Sequence, residues 1–410
     1  MENTFKNQEN PDIVILVNGP GELSSYVKPT VEALHERSPQ LRITLVFTPC
    51  PYSTGKETEI AMAIHGVSRV INNGEFFRWM LTRKLPKGIK FNKRGVVVFM
   101  GGDVLYGKMI AKKLKYPAVA YSEAYAKWPK IYKKFLVPDR IIYEKFKKQG
   151  FPENQIKIVG NLMVDSVKAK KTREQIYRQS GLDQDKKLVS FLPGSREFQI
   201  RYSLSFFLKI VKEIASLNKN CQFAFIISPY LKKELLIKHL KKADLEYVNG
   251  HIKYNGTSIL LVFVDQHSFI AASDLVVTIP GTNTAEAAIL GTPMISVFPE
   301  ASTPFIPLEG IYEIIGKIPF FGFIFKVLYV KMLFSKTRFF AIPNIKSGKE
   351  IVPEYKGKIQ PKTIAEKAVA LLNNTEKTRK IREQLKSCLG GKGAARRIAE
   401  EINEALLQTF

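Results

Sequence analysis

Three cysteines in 410 residues, Cys50, Cys221 and Cys388, are too few and too far apart to make a disulfide framework or a Cys-x-x-Cys metal site, so a reducing cytoplasmic setting is expected. The five histidines are scattered and form no His-x-x-x-His pattern, so no metal site is expected. No full G-x-G-x-x-G fingerprint follows the first strand, which argues against a dinucleotide and leaves no cofactor expected. Long apolar runs are missing too. Residues 1–10 are polar and lack the apolar stretch of a signal peptide. The most lipophilic region, residues 302–340, is broken by Glu309, Glu313, Lys317, Lys326 and Lys331, so it is expected to lie on a membrane or in a groove rather than to cross a bilayer.

Acidic residues are in short supply. Against 63 Lys and Arg stand 37 Asp and Glu, a formal net charge of +26. The excess is concentrated: residues 76–150 hold nineteen Lys and Arg against four Asp and Glu, interleaved with Phe76, Phe77, Trp79, Tyr116, Trp128, Tyr132, Phe135 and Phe146. Such a surface attracts anions. Nucleic acid is not expected, because the segment carries no helix-turn-helix, zinc-finger or RNP signature. An anionic membrane surface fits better, each nearby Lys or Arg adding about 1 kcal/mol of attraction; a merely solvated basic face is the alternative.

What the chain does have is repeated alternation of buried-strand and helix patterns. Residues 12–17 are an apolar strand that enters the Gly19-Pro20-Gly21 turn, and a helix and a second strand at 41–47 follow. The pattern continues through 96–100 and 116–121, breaks in a polar stretch before Lys187, and resumes with strands near Leu188, Gln222, Ile259, Leu275 and Ile295. We read two α/β domains with doubly wound sheets, residues 1–182 and 183–393, with a closing helix over 394–410.

Two glycine turns stand out, Phe191-Leu-Pro-Gly-Ser-Arg196 and Thr278-Ile-Pro-Gly-Thr-Asn-Thr-Ala-Glu286. Each follows a buried strand and opens a helix, so both belong at the carboxyl edge of a parallel sheet, where open α/β sheets bind ligands. Gly194 and Gly281 permit close backbone approach, while helix-start N–H groups and the Arg196 cation suit a diphosphate. A nucleotide diphosphate is the ligand this pattern predicts.

In their order, these turns together with Ala287-Ala-Ile-Leu-Gly-Thr-Pro-Met294 and Ala341-Ile-Pro-Asn344 through Glu354 resemble the lipid-A-disaccharide synthase family of glycosyltransferases. So do Val17-Asn-Gly-Pro-Gly-Glu22, Met100-Gly-Gly-Asp103, Val159-Gly-Asn-Leu-Met-Val-Asp165 and Gly390-Gly-Lys-Gly-Ala-Ala-Arg396. The resemblance implies a GT-B architecture of two facing Rossmann-like domains, the closing helix packing on the first. It implies an inverting, metal-independent hexosyltransferase of lipid A and lipopolysaccharide biosynthesis, bound peripherally at the cytoplasmic face of the inner membrane. Its donor would be UDP-2,3-diacylglucosamine and its acceptor 2,3-diacylglucosamine 1-phosphate. Where the family has an acidic residue after the loop glycine this chain has Pro20, and Gly357 and Gln199 are further departures; a different lipid acceptor is therefore the first alternative. A UDP-sugar epimerase and a non-catalytic membrane-binding protein are the others.

Glycosyl transfer needs a base for the acceptor hydroxyl and positive charge or N–H dipoles for the departing diphosphate. Asp103 matches the family's proposed base and could equally cap the helix after it; Glu22 is the rival base. Gly19, Gly21 and Ser24 belong to the acceptor-side loop. On the donor side, Gly194, Ser195, Arg196, Gly281, Thr282, Asn283 and Thr284 are expected around the diphosphate, and Glu286 at the ribose hydroxyls or on a helix surface. Asn344 matches a functional asparagine of the family, or shapes a turn; Glu350 and Glu354 support it. The apolar segment 304–340 either accommodates acyl chains and meets the membrane, or forms a core helix pair.

Overall fold

A computed structural model describes residues 10–50, 55–123, 127–243, 245–300, 327, 332 and 337–407. The chain divides into two compact units, Met1–Ser166 with Gly390–Phe410, and Val167–Leu389. Each is a doubly wound α/β sheet, as the alternation of strand and helix patterns predicts.

In the first unit the strands are β1 (Asp12–Val17), β2 (Arg42–Phe47), β3 (Val67–Ile71), β4 (Gly95–Phe99), β5 (Ala118–Tyr121), β6 (Tyr132–Val137) and β7 (Ile156–Ile158). They form one seven-stranded sheet in the order β3-β2-β1-β4-β5-β6-β7, and every pairing is parallel. Helices cover both faces, so β1 has no polar face. Ile13, Ile15 and Val17 enter a core shared with Val31 and Leu34 of the helix Lys28–Arg37 and with Ile398 and Ile402 of the helix Ala394–Leu407. Val14 and Leu16 enter the opposite core, with Phe76, Trp79, Ile110 and Phe146.

The closing helix is tied down by two segments that the family resemblance singles out. The Asp165 carboxylate accepts from the Gly393 and Ala395 N–H groups, both at 2.7 Å, and so caps that helix. The Arg397 guanidinium donates to the Val159 carbonyl at 2.6 Å, and buried Glu401 pairs with Lys157.

The second unit contains β8 (Lys187–Leu192), β9 (Cys221–Ile226), β10 (Tyr247–Val248), β11 (His251–Tyr254), β12 (Thr257–Val262), β13 (Leu275–Thr278), β14 (Met294–Pro299) and β15 (Glu354–Gly357). The sheet order is β10-β11-β12-β9-β8-β13-β14-β15, parallel except for the antiparallel edge β10-β11-β12.

At the amino end of β1 lies a buried polar network centred on Asp12. Buried Asp12 accepts two bonds from Arg42, both at 2.7 Å, one from Arg69 at 2.8 Å and one from the Asn92 N–H at 2.6 Å. The Tyr116 hydroxyl lies 3.3 Å from the same carboxylate. This end is opposite the edge where the glycine loops leave the sheet, and the network fastens β1 to β2, β3 and the segment before β4. Removing the carboxylate strands two cations: Asp12→Ala should cost about 3–5 kcal/mol, read as a lowered denaturation midpoint. A loss below about 1 kcal/mol would show that the network contributes little.

Candidate active site

Sheet order decides where each unit can bind. In the first, β1 connects outward to β2 while β4 connects outward to β5, so the loops leaving adjacent β1 and β4 diverge and leave a crevice at their carboxyl ends. The Gly19-Pro-Gly-Glu22 and Gly101-Gly-Asp103 motifs both lie there. Gly19 is extended and Pro20 opens a short helical turn, Pro20–Glu22, which continues through the π-helical Leu23–Val27. Ser24 is used inside this turn, its hydroxyl donating to the Pro20 carbonyl at 2.9 Å.

Glu22, half-buried, leans across to the β4 loop. A Cβ placed on Gly101 would stand 3.0 Å from Glu22 Cγ, and one on Gly19 would stand 3.2 Å from Glu22 Oε2. Gly102, at φ +89°, has room for no side chain, since a Cβ would fall 2.6 Å from the Thr48 hydroxyl. The next residue, exposed Asp103, caps the helix Val104–Leu114 by accepting from the Leu105 N–H at 2.8 Å. Glu22 thus lies against the two-glycine turn that ends in Asp103.

Two groups here escape a reading of motifs. Glu123, just beyond β5, accepts from the Tyr26 hydroxyl at 3.2 Å and the Tyr121 hydroxyl at 3.0 Å. Burial and then the charges of Glu123 and Glu22 hold the Tyr26 hydroxyl well above the usual phenol range. Asn18 is the other: its side-chain oxygen is buried without a hydrogen-bond partner. Glu123 could have been found by the strand-end rule applied to β5; nothing in the sequence marks Asn18 beyond its place in the loop.

In the second unit the reversal of strand order falls between β8 and β13, and these are the strands that feed the two glycine turns. Gly194, at φ +107°, precedes the helix Glu197–Leu217. Gln199 turns back to accept from the Ser195 N–H at 2.8 Å and the Arg196 N–H at 3.1 Å. Those two donors are therefore engaged within the chain, and Gly194 leaves the space in which Gln199 sits: a Cβ there would lie 2.5 Å from its oxygen. Arg196 is half-buried, and its charge is felt at the Tyr202 hydroxyl, whose pKa burial raises.

Across the reversal, exposed Gly281 at φ +137° begins the helix Thr282–Ile289, with Thr282 exposed and Asn283 half-buried. Thr284 is buried; its hydroxyl donates to the Gly281 carbonyl at 2.8 Å and accepts from the Ile342 N–H at 3.0 Å, joining this turn to the helix Ile342–Ser347. Asn344 is buried and fully employed. Its amide donates to the Val352 carbonyl and to Glu354, while its oxygen accepts from Ile351 and Val352. Glu354 in turn accepts from the Phe340 and Ala341 N–H groups. Asn344 and Glu354 thus hold the loop behind the Gly281 turn, and Glu350 stands exposed beside them.

Glu286 lies between buried Ala285 and Ala287, its side chain 24% exposed and 3.9 Å from His267 Nε2. Burial pushes its carboxyl up to about 7. Among the described residues no group of three or more His, Cys, Asp and Glu could hold a metal ion, and no helix is long and apolar enough to cross a membrane. The apolar segment expected to meet acyl chains falls, over 304–326 and 328–331 and 333–336, outside the described residues.

The family model for lipid-A-disaccharide synthetase matches residues 143–299, a span that holds both glycine turns of the second unit. The chain is 27% identical over 248 residues to a lipid-A-disaccharide synthase of Syntrophus aciditrophicus, an alignment covering 60% of this chain and 56% of that protein. It is 27% identical over 279 residues to that of Persephonella marina, covering 66% and 63%. In both alignments the chain spans less than two thirds of the relative. With the enzyme of Syntrophotalea carbinolica the identity is 22% over 413 residues, covering 97% and 96%. Among solved structures, UDP-GlcNAc 2-epimerases of Methanocaldococcus jannaschii (TM-score 0.55, 15% identity, 96% and 99% covered) and Neisseria meningitidis (TM-score 0.56, 11%, 97% and 100%) share the fold. That likeness is one of architecture, two Rossmann-like units of the GT-B type.

The raised carboxyl of Glu286 has a measurable consequence. Its folded pKa lies above the unfolded value, so the native state penalises the carboxylate; the penalty is small below about pH 4.5 and complete above about pH 7. Glu286→Gln should therefore stabilise the ligand-free protein by roughly 1–3 kcal/mol at pH 8.5 and by little at pH 4.5. Denaturant titrations at the two pH values check this, and an equal effect at both would contradict it.

Proposed function

We propose that this chain, a relative of the lipid-A-disaccharide synthases, is an inverting glycosyltransferase that moves 2,3-diacylglucosamine from UDP to 2,3-diacylglucosamine 1-phosphate. The products are the β-1,6-linked disaccharide 1-phosphate and UDP. The observation that carries the reading is the pair of glycine turns on either side of the strand-order reversal in the second unit, inside the span of the family match. Arg196 and the helix start at Gly281 and Thr282 supply the cation and N–H dipoles for a leaving diphosphate, and Glu286 accepts from the ribose hydroxyls. In the first unit a carboxylate takes the proton from the acceptor 6-hydroxyl as that oxygen bonds to the donor anomeric carbon and the bond from that carbon to the diphosphate breaks. Asp103 serves as this base, with Glu22 over the same turn as its rival. Neither step calls on a metal.

Mass spectrometry of products from a panel of UDP-sugars and lipid acceptors tests the reading. Disaccharide and UDP should form together; epimerised sugar without transfer, or no product from any pair, would overturn it. Arg196→Ala should weaken UDP binding about tenfold. Asp103→Asn should lower turnover by about 10² or more with UDP binding intact. An active Asp103→Asn beside an inactive Glu22→Gln would move the base to Glu22.

Peripheral attachment to the cytoplasmic face of the inner membrane belongs to the same proposal. Its support is a surface of the first unit where the helices Asn73–Thr82 and Val104–Leu114 meet through the Phe76–Tyr106 ring contact. They leave Phe77, Leu81, Leu105 and Met109 exposed among Arg78, Arg83 and Lys112. Cations draw such a face to anionic lipid and the apolar side chains retain it. Sedimentation with anionic vesicles should show binding that weakens with salt. Phe77→Ser with Leu81→Ser should remove the salt-resistant part, and equal binding of the unaltered protein to neutral vesicles would exclude the electrostatic contribution.

A further inference from the structure

Asn18 is the last residue before the first glycine turn, at the carboxyl end of β1 beside the strand-order reversal of the first unit. Its side-chain oxygen is buried and accepts no hydrogen bond. Buried acceptors are nearly always satisfied, and one that is not lowers the stability of the free protein. Around it the chain is closely built. A Cβ on Gly102 would lie 3.5 Å from Asn18 Cβ and 3.6 Å from its Cγ, and one on Gly101 would lie 3.2 Å from the Asn18 backbone nitrogen and 3.0 Å from Glu22 Cγ. The two glycines thus leave bare backbone where Asn18, Glu22 and the Thr48 hydroxyl converge, four residues from one candidate base and next to the turn that carries the other.

We propose that Asn18 is a substrate-positioning residue whose side-chain oxygen accepts a hydrogen bond from the acceptor sugar, once the Glu22 side chain lying over Gly101 swings aside. This rests on the transferase reading above and extends it. In 2,3-diacylglucosamine 1-phosphate the 2- and 3-positions carry acyl groups and the 1-position carries phosphate. Only the 4- and 6-hydroxyls remain, and the 6-hydroxyl is the nucleophile that gives its proton to the base. The neighbouring 4-hydroxyl is therefore the donor assigned to Asn18. A neutral carboxamide suits this task, because it orients the sugar without competing for the proton.

The test compares the unaltered enzyme with Asn18→Ala, using the parent acceptor and its 4-deoxy analogue. Asn18→Ala should raise KM for the parent acceptor about tenfold with UDP affinity unchanged. The 4-deoxy analogue should show the same loss with the unaltered enzyme and no further loss with the variant. Thermal denaturation supplies a readout that a structural role would move in the opposite direction: relieving an unsatisfied acceptor should leave Tm unchanged or raise it by roughly 2–4 °C. A lowered Tm, an unchanged KM, or equal discrimination against the 4-deoxy analogue by both proteins would overturn the assignment. If the unaltered protein forms no disaccharide from the parent acceptor, it is the transferase reading that fails, and the proposal falls with it.

Discussion

Parallel strands cannot be joined by tight turns, and this constraint arranges everything else in the molecule. Each strand must be followed by a crossover that returns the chain to the opposite end of the sheet, so successive strands all present their carboxyl ends on one edge. Where consecutive crossovers depart in opposite directions, the two loops cannot cover the gap between them. The first unit has that gap between β1 and β4, the second between β8 and β13. Glu22, Asp103 and Asn18 lie at one, and Arg196, Gly281 and Glu286 follow the strands that flank the other. The Asp12 network occupies the opposite edge, where it stabilises without obstructing a ligand.

Motifs shared with a family need not all touch substrate. The segments ending in Asp165 and beginning at Gly390 meet each other: one supplies the carboxylate that caps the closing helix and the other supplies the N–H groups it receives. Asn344 is comparable, its amide spent on the chain that frames the Gly281 turn. Gln199 satisfies the N–H groups of the turn that Arg196 begins to leave. These residues spend their polar groups on holding backbone in place.

Strands with both faces buried were legible because their apolar runs are continuous, as in Ile13-Val-Ile-Leu-Val17 and Leu275-Val-Val277. The edge strands β10 and β11 were less so, being short and half-exposed, with no run long enough to separate them from loop, whereas β12 could be read from its apolar run around Ile259. In the site, glycines and the charged residues next to them could be read from strand-to-helix order. What could not be read was how partners are shared out: that Glu123 serves two tyrosines, that Gln199 fills the Gly194 turn, and that Asn18 goes without. Each depends on groups brought together from separate loops, and spacing along one segment carries no record of them.

The route of the chain between its units bears on how the protein comes to be folded. It leaves the first unit after Ser166 and rejoins it at Gly390, so the second unit is topologically an insertion within the first. A helix that supplies Ile398, Ile402 and Leu406 to the core around β1 is the last part of that core to be synthesised. During synthesis the whole second unit is available to fold while the first still exposes an uncovered apolar face. The earlier-made domain is therefore the later one to be finished, and the contact between Asp165 and Gly393, separated by 228 residues, is the point at which that long loop closes.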